Sequence, residues 1–355
     1  MNEIEYVADR LIKEASLLHV SDIHIVPRKD DAIVRFRLDG LLMEKEALTK
    51  EMCERLITHF KFLAGMDIGE RRRPQSGAME ARHQEEIIHL RLSTLPTSYD
   101  ESLVIRLLPQ NFFIPRSQLS LFANATKTLL SLFRQPQGLI IFTGPTGSGK
   151  TSTLYTLLRI CQYEWHRNVI TLEDPVEKRI DNILQVQINE KAGITYTTGL
   201  KSVLRHDPDV IMIGEIRDAE TAKIAVRSAM TGHLIATTMH TKNAVGAIYR
   251  LREFGIPLGD IEQTLLAVVA QRLVDLVCPF CGEHCSIFCR KHRSIRRAAV
   301  HELLYGNALS NAIQSVQTKE KTHHYYTLQY VIRKGVALGF LPAHLLYRQC
   351  QKFDK

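Results

Sequence analysis

No apolar run in the 355 residues approaches the ~20 needed to cross a bilayer as a helix, so nothing here reads as a membrane span. The opening "MNEIEYVADRLIKEA" is charged from its second turn and reads as neither a signal peptide nor an anchor. Internal repeats and low-complexity tracts are lacking, which excludes solenoids and disordered linker-type chains. Hydrophobic residues make up 45% and charged residues 24%, the balance of an ordinary soluble globular protein. The main body also lacks an excess of positive charge. Of 46 Lys plus Arg and 38 Asp plus Glu, residues 286–355 hold 12 and 3, which leaves 34 bases and 35 acids in the first 285 residues. The formal net charge of +8 therefore belongs to the tail, and the body is no general nucleic-acid surface. Seven cysteines fit a reduced, cytosolic chain, and four of them fall within twelve residues.

Ile4, Val7, Ala8, Leu11, Ile12, Ala15 and Leu18 recur at three- and four-residue steps, which predicts an amphipathic first helix. "SDIHIVP" and "AIVRFRLDG" alternate like strands around a polar "RKDD" turn, and Asp39-Gly40 offers a second turn. A helix with Met52, Leu56, Ile57, Phe60 and Leu63 on one face follows, then an Arg-rich "GERRRPQSG" loop and two further strands, "EIIHLRLSTLP" and "SLVIRLLP". This is an α+β domain over 1–109, with a linker over 110–118. From 119 to 277 strands alternate with helices, with "GLIIFTG", "RNVITLED", "DVIMIGE" and "HLIATTMH" as the strands. That alternation predicts an α/β domain with a mainly parallel sheet covered on both faces. A cysteine cluster occupies 278–289, and 290–355 reads as basic and helical around "AAVHELLYGNAL" and "LQYVIRKGVALGFL".

"GPTGSGKT", Gly144 to Thr151, follows a strand and opens a helix, the context in which a phosphate-loop pattern has a mechanism. Gly144, Pro145, Thr146, Gly147, Ser148 and Gly149 let successive N–H groups curl round a phosphate, and the helix N-terminus adds partial positive charge. Lys150 is expected to reach the β- and γ-phosphates of ATP and Thr151 to hold Mg²⁺, with Ser152 beside it. The strand in "HDPDVIMIGEIRD" departs from the common pattern, since it ends in Gly214 and Glu215 where an Asp is usual.

Four segments in order, "GPTGSGKTSTLY", "VITLEDPVE", "LRHDPDVIMIGEIRD" and "TGHLIATTMHT", resemble the Walker A, Asp-box, Walker B and His-box set of the ATPases that drive type II secretion and type IV pilus assembly. "AGMDIGERRRPQSG", "VRFRLDG" and "ESLVIRLLP" look like the second N-terminal domain of that family, and "VVAQRLVDLVCPFC" like its C-terminal domain. The likeness extends over some 280 residues. The resemblance implies a RecA-like phosphate-loop ATPase domain preceded by a smaller α+β domain and followed by a helical tail. Within the family, the compact cysteines and a start directly at the second N-terminal domain point to the competence pseudopilus motors of Gram-positive bacteria.

The resemblance implies that Glu215 is the carboxylate that orders Mg²⁺ and polarises the attacking water. Glu173 is the second candidate for that step, and His240 is read as a γ-phosphate sensor with His233 as its more structural partner on the nucleotide. Arg35, Arg37, Arg91 and Arg106 stand in the strand segments from which the family's arginines reach the nucleotide, and at least one is expected to be an ordinary strand-face residue. Arg217 joins them at the nucleotide or bridges subunits.

Cys278, Cys281, Cys285 and Cys289 form C-x2-C-x3-C-x3-C. Four thiolates so spaced suit a structural Zn²⁺, with His284 or His292 able to replace one sulfur and an iron–sulfur cluster as the competitor. Cys53, Cys161 and Cys350 read as isolated thiols. The tail run "RKHRSIRR" reads as a solvated helix face or as a contact for anionic lipid or a membrane partner, with DNA contact ranked third. The expected whole is a homo-oligomeric, hexameric ATPase on the cytosolic face of the cell membrane. It would act through a polytopic platform protein to assemble prepilins into a competence pseudopilus. A type II secretion or type IV pilus motor, assembly or retraction, is the alternative, and a nucleic-acid translocase the more distant one.

Overall fold

The computed structural model describes residues 3–83, 86–109, 113–282, 289, 295–318 and 325–346. The chain divides into two compact units, one built on residues 1–112 and the other on 113–285 and 295–355. The division falls inside the expected linker.

In the first unit, helix α1 (Glu3–Leu17) precedes strands β1 (Asp22–Pro27), β2 (Ala32–Leu38) and β3 (Leu41–Leu48), helix α2 (Lys50–Leu63), and strands β4 (Gln75–His83), β5 (Glu86–Thr97) and β6 (Asp100–Pro109). The strands form one antiparallel sheet in the order β3-β2-β1-β6-β5-β4. Asp39 and Gly40 join β2 to β3 with φ of 53° and 85°, the positive values that a two-residue hairpin turn needs to match strand twist. Alternation sends Ile23, Ile25, Val34, Phe36, Leu90, Leu92, Leu103 and Ile105 to one face, where they pack on the apolar stripes of α1 and α2. The other face is left to polar side chains.

The second unit contains α3 (Ala123–Phe133), β7 (Gly138–Thr143), α4 (Lys150–Tyr163), β8 (Val169–Glu173), β9 (Leu184–Gln187), α5 (Tyr196–Val203), β10 (Val210–Ile213), α6 (Ala219–Met230), β11 (Leu234–Met239), α7 (Ala244–Glu253), α8 (Leu258–Thr264), β12 (Leu265–Asp275) and β13 (Arg297–Tyr305). Helices Gly306–Thr318 and Leu328–Ala337 follow. The sheet runs β13-β12-β7-β11-β10-β8-β9, and every pairing is parallel except that of β12 with β13. Strands β7, β8, β10 and β11 are buried along their whole length. That is what covering a parallel sheet on both faces requires, and it explains why these segments are continuously apolar. Ile140, Phe142, Val210 and Met212 face α3 and α4, whereas Leu139, Ile141, Ile211 and Ile213 face α6 to α8.

The reading of residues 298–305 as helical is corrected. "RAAVHELLY" is a strand in register with β12 from Ala267↔Tyr305 to Asp275↔Arg297. Its apolar spacing fits a helix as well as a twice-covered strand, and pairing with β12 decides between them. The tail's first segment is thus an edge of the main sheet, and the helices Gly306–Thr318 and Leu328–Ala337 come after it. Adjacent residues of β13 serve opposite faces. His301 meets Gln271 of β12, while the buried Glu302 carboxylate accepts from Ala244 N and Leu328 N at 2.9 Å each, so it caps both α7 and the helix Leu328–Ala337.

Candidate nucleotide site

The carboxyl ends of β7, β8, β10 and β11 lie side by side, the place where open α/β sheets bind ligands. β7 ends in the phosphate loop. Gly144, Gly147 and Gly149 have φ of 147°, 77° and 83°, values that side chains disfavour. A Cβ on Gly144 would stand 2.5 Å from Gln271 O, so close approach to β12 adds a second reason for glycine there. Pro145, Thr146 and Gly147 are exposed and Ser148 is buried. Lys150 is buried and donates to Gly144 O at 2.7 Å and Pro145 O at 3.2 Å. Burial, with Arg272 nearby, pulls its pKa down to about 8. Thr151 and Ser152 begin α4, Thr151 half-buried and Ser152 exposed. Thr143 Oγ1 is tied to Thr241 Oγ1 at 2.7 Å and accepts from Thr241 N at 2.9 Å, which locks the loop's root to the end of the His-box strand.

Glu215 follows β10, its side chain 19% exposed, with Nε of Arg217 on one carboxylate oxygen and Nε2 of His240 3.3 Å from the other. Arg217 also reaches Asp174 at 3.9 Å. Burial, with Lys150 and Arg217 beside it, holds the His240 imidazole below its ordinary pKa, so it faces Glu215 as a neutral donor. Glu173 is placed differently, 3% exposed at the end of β8. Its carboxylate accepts from Tyr155 OH, from Thr171 Oγ1 at 2.5 Å and from Gln185 Nε2 at 3.2 Å. Glu215 is open to a ligand on one side, and Glu173 is occupied by the protein.

His233 does not join this group. It stands at the amino end of β11, where its carbonyl accepts from Gly138 N and its Nδ1 lies 3.2 Å from Ser228 O. The six residues of β11 separate it from His240, seven steps or about 23 Å at ~3.3 Å per residue. The expectation that His233 serves the nucleotide is corrected by that direction of the strand.

Four arginines of the first unit do fall together. Register places Arg37 opposite Asp22, Asp22 opposite Arg106 and Arg106 opposite Arg91, so one row crosses four strands on the polar face. Arg35, two residues before Arg37, shares that face. The buried Asp22 anchors the row, with Arg106 Nε at 2.8 Å and Arg37 Nε at 3.8 Å. Arg35 lies 3.6 Å from Glu44.

The thiols of Cys278, Cys281 and Cys289 lie within 4.8 Å of one another. Thiolates around a Zn²⁺ at ~2.3 Å sit about 3.8 Å apart, so the donor set fits that ion. Cys278 N and Gly282 O, and Gly282 N and Cys278 O, bond at 3.0 and 2.9 Å to form the tight loop that brings the first two thiols together. Cys285, His284, His292, residues 290–294 and Cys350 lie outside the described residues. Cys53 and Cys161 are buried, their thiols pushed up to about 11 and about 12 by burial, as expected of inert thiols.

Several residues of the site were not singled out from sequence: Tyr155, Gln185, Gln271, Arg272 and His301. Gln271 and His301 had one available signal, a polar residue inside an otherwise apolar strand.

The family model for the type II/IV secretion system protein matches residues 1–344. The chain belongs to that family. It is 57% identical over 345 residues to the competence protein ComGA of Bacillus subtilis (strain 168), covering 97% of both chains. It is 44% identical over 315 residues to ComGA of Halalkalibacterium halodurans, covering 88% of this chain and 90% of that one. The crystal structure of the pilus retraction motor PilT with bound ADP superposes with a TM-score of 0.68 at 25% identity, covering 95% of this chain and 94% of that one. The secretion-family fold, RecA-like with a smaller antiparallel N-terminal unit, is therefore the fold of this chain, and its enzyme class is ATPase.

Proposed function

We propose that this ATPase powers assembly of a competence pseudopilus and so supports DNA uptake. The observation that carries the reading is the convergence of the phosphate loop, Glu215 and His240 at the carboxyl ends of three neighbouring strands, together with 57% identity along nearly the full length of a competence protein. The loop amides and Lys150 hold the phosphates of ATP. Thr151 and Glu215, both oxygen donors, are the residues that would hold Mg²⁺, which neutralises phosphate charge when bound. Glu215 accepts the proton of the attacking water, and neutral His240 orients its carboxylate. Arg217, beside Glu215, supplies positive charge for the transferred phosphoryl group. Glu173 holds the Asp-box strand to α4 through Tyr155.

The working assembly is a hexamer at the cytoplasmic face of the membrane, acting on prepilins through a polytopic platform protein. Among the described residues no helix is long and apolar enough to cross a membrane. The cysteine cluster is a structural zinc site, since four protein ligands leave no position for catalysis. The basic tail is read as the contact for anionic lipid or the platform. The test is deletion of the gene, followed by complementation with the unaltered chain or with Lys150→Ala. Transformation and surface pilin are both restored by the first and by neither measure with the second. Restoration of secretion or twitching without transformation would favour the type II or type IV pilus alternative, and stimulation of ATP turnover by DNA would favour a translocase.

A further inference from the structure

Gln271 lies on β12, beside β7, with no exposed surface. Its Nε2 donates to Ser148 O at 2.9 Å and to Thr153 Oγ1 at 3.0 Å, one on the phosphate loop and one in the first turn of α4. Its Oε1 lies 3.2 Å from His301 Nε2, and His301 Nδ1 lies 3.1 Å from Ser120 Oγ. These contacts allow one arrangement of protons. Both amide hydrogens of Gln271 are committed to oxygens, so Oε1 accepts and His301 carries its proton on Nε2. Nδ1 must then accept from the Ser120 hydroxyl. Burial pushes the His301 pKa down to about 3, which keeps the ring in this neutral form. The relay runs in one direction, from Ser120 through His301 and Gln271 to the Ser148 carbonyl.

Ser148 C=O and Gly149 N–H belong to one planar trans peptide and point opposite ways. Holding the carbonyl toward β12 therefore turns the Gly149 N–H to the other side, into the concavity where the loop amides gather on a phosphate. The local backbone supports the same assignment. Gly149 has φ of 83°, and a Cβ there would come within 3.1 Å of Gln271 Nε2. We propose that Gln271, fixed in orientation by His301, is a positioning residue of the nucleotide site that aims the Gly149 N–H at bound phosphate. This rests on the reading of the loop as an ATP site. It adds a second strand, and through β13 the tail, to the residues that shape the loop.

The experiment uses the full chain and measures ADP affinity, kcat and KM for ATP, and the thermal midpoint without nucleotide. Gln271→Leu removes both donors at similar volume. A misaimed hydrogen bond to a charged phosphate is expected to weaken ADP binding and raise KM about 10- to 100-fold. The nucleotide-free midpoint should also fall, by about 5–15 °C, because three buried groups lose their partner, so ADP affinity is measured well below it. His301→Gln keeps a donor toward Oε1 and is expected to stay within about threefold of the unaltered protein, whereas His301→Leu, which frees the amide to turn over, should behave like Gln271→Leu. A merely structural role would lower the midpoint and leave ADP affinity intact, and that result overturns the proposal. So does equal behaviour of the two His301 variants, which decide the matter if Gln271→Leu is insoluble. If the unaltered chain fails to bind ADP, the ATP-site reading itself fails, and the variants are not needed to show it.

Discussion

Glutamine at position 173 and glutamine at position 215 should be distinguishable in the test tube even though both are expected to stop hydrolysis. Glu173 is buried and accepts from Tyr155, Thr171 and Gln185. A glutamine there turns one end of the side chain into a donor facing donors. Loss of a charge-assisted bond and one orphaned buried group together cost about 2–4 kcal/mol. Glu215 is more exposed and, among the described residues, pairs with Arg217 and His240, so Glu215→Gln should change stability by less than about 1 kcal/mol and leave ATP affinity near normal. The single tryptophan, Trp165, belongs to the second unit, so its fluorescence in a urea titration follows the unit that contains both carboxylates. A cycle with Tyr155→Phe isolates the coupling, expected at about 1.5–3 kcal/mol between Tyr155 and Glu173. Coupling below about 0.5 kcal/mol would refute the reading of Glu173 as a clamp on α4. Near-normal turnover in Glu215→Gln would remove that residue from the chemistry.

His301 gives a pH signature. Its folded pKa, about 3, lies below the ordinary value of 6.5, so between these limits the unfolded chain binds the extra proton. Its contribution to stability is complete above about 6.5 and falls by about 1.4 kcal/mol per pH unit as the solution is acidified toward 3; urea midpoints from pH 7 to 4 should fall less steeply in His301→Gln. Gly149→Ala should abolish nucleotide binding measured by fluorescent ADP, because its Cβ meets Gln271 and Leu273 at a strained φ; binding within about threefold of normal would count against the loop geometry. Metal analysis of untagged protein should find one zinc per chain, reduced in Cys278→Ser and Cys281→Ser, and well under one in the unaltered chain would sink the zinc assignment.

Much of the site was legible because it is written in contiguous stretches. A strand, a glycine-rich turn and a helix stand together in "GLIIFTGPTGSGKT", and chain direction alone carries their geometry into space. The arginine row was half legible. The two-residue spacing of Arg35 and Arg37 puts them on one face, but only strand register brings Asp22, Arg106 and Arg91 into line with Arg37. Strand β4, "QSGAMEARH", was missed because small and polar residues at a sheet edge leave no alternation to detect. His233 was grouped with His240 on resemblance, although a strand placed between two residues carries them to opposite ends. Tyr155, Gln271 and His301 act across distances in sequence of 18, 123 and 30 residues, and no local pattern encodes such partners.

The edge strand Arg297–Tyr305 changes what can be removed from this protein. A chain shortened after the cysteines would keep every motif by which the ATPase is recognised. It would nonetheless lose the histidine that orients Gln271 and the glutamate that caps the helix behind the His box. β12 would also become an open edge, inviting pairing with another chain. The boundary of the catalytic machinery therefore lies beyond the last sequence motif, and a truncation or fusion designed from motifs alone would cut through the engine.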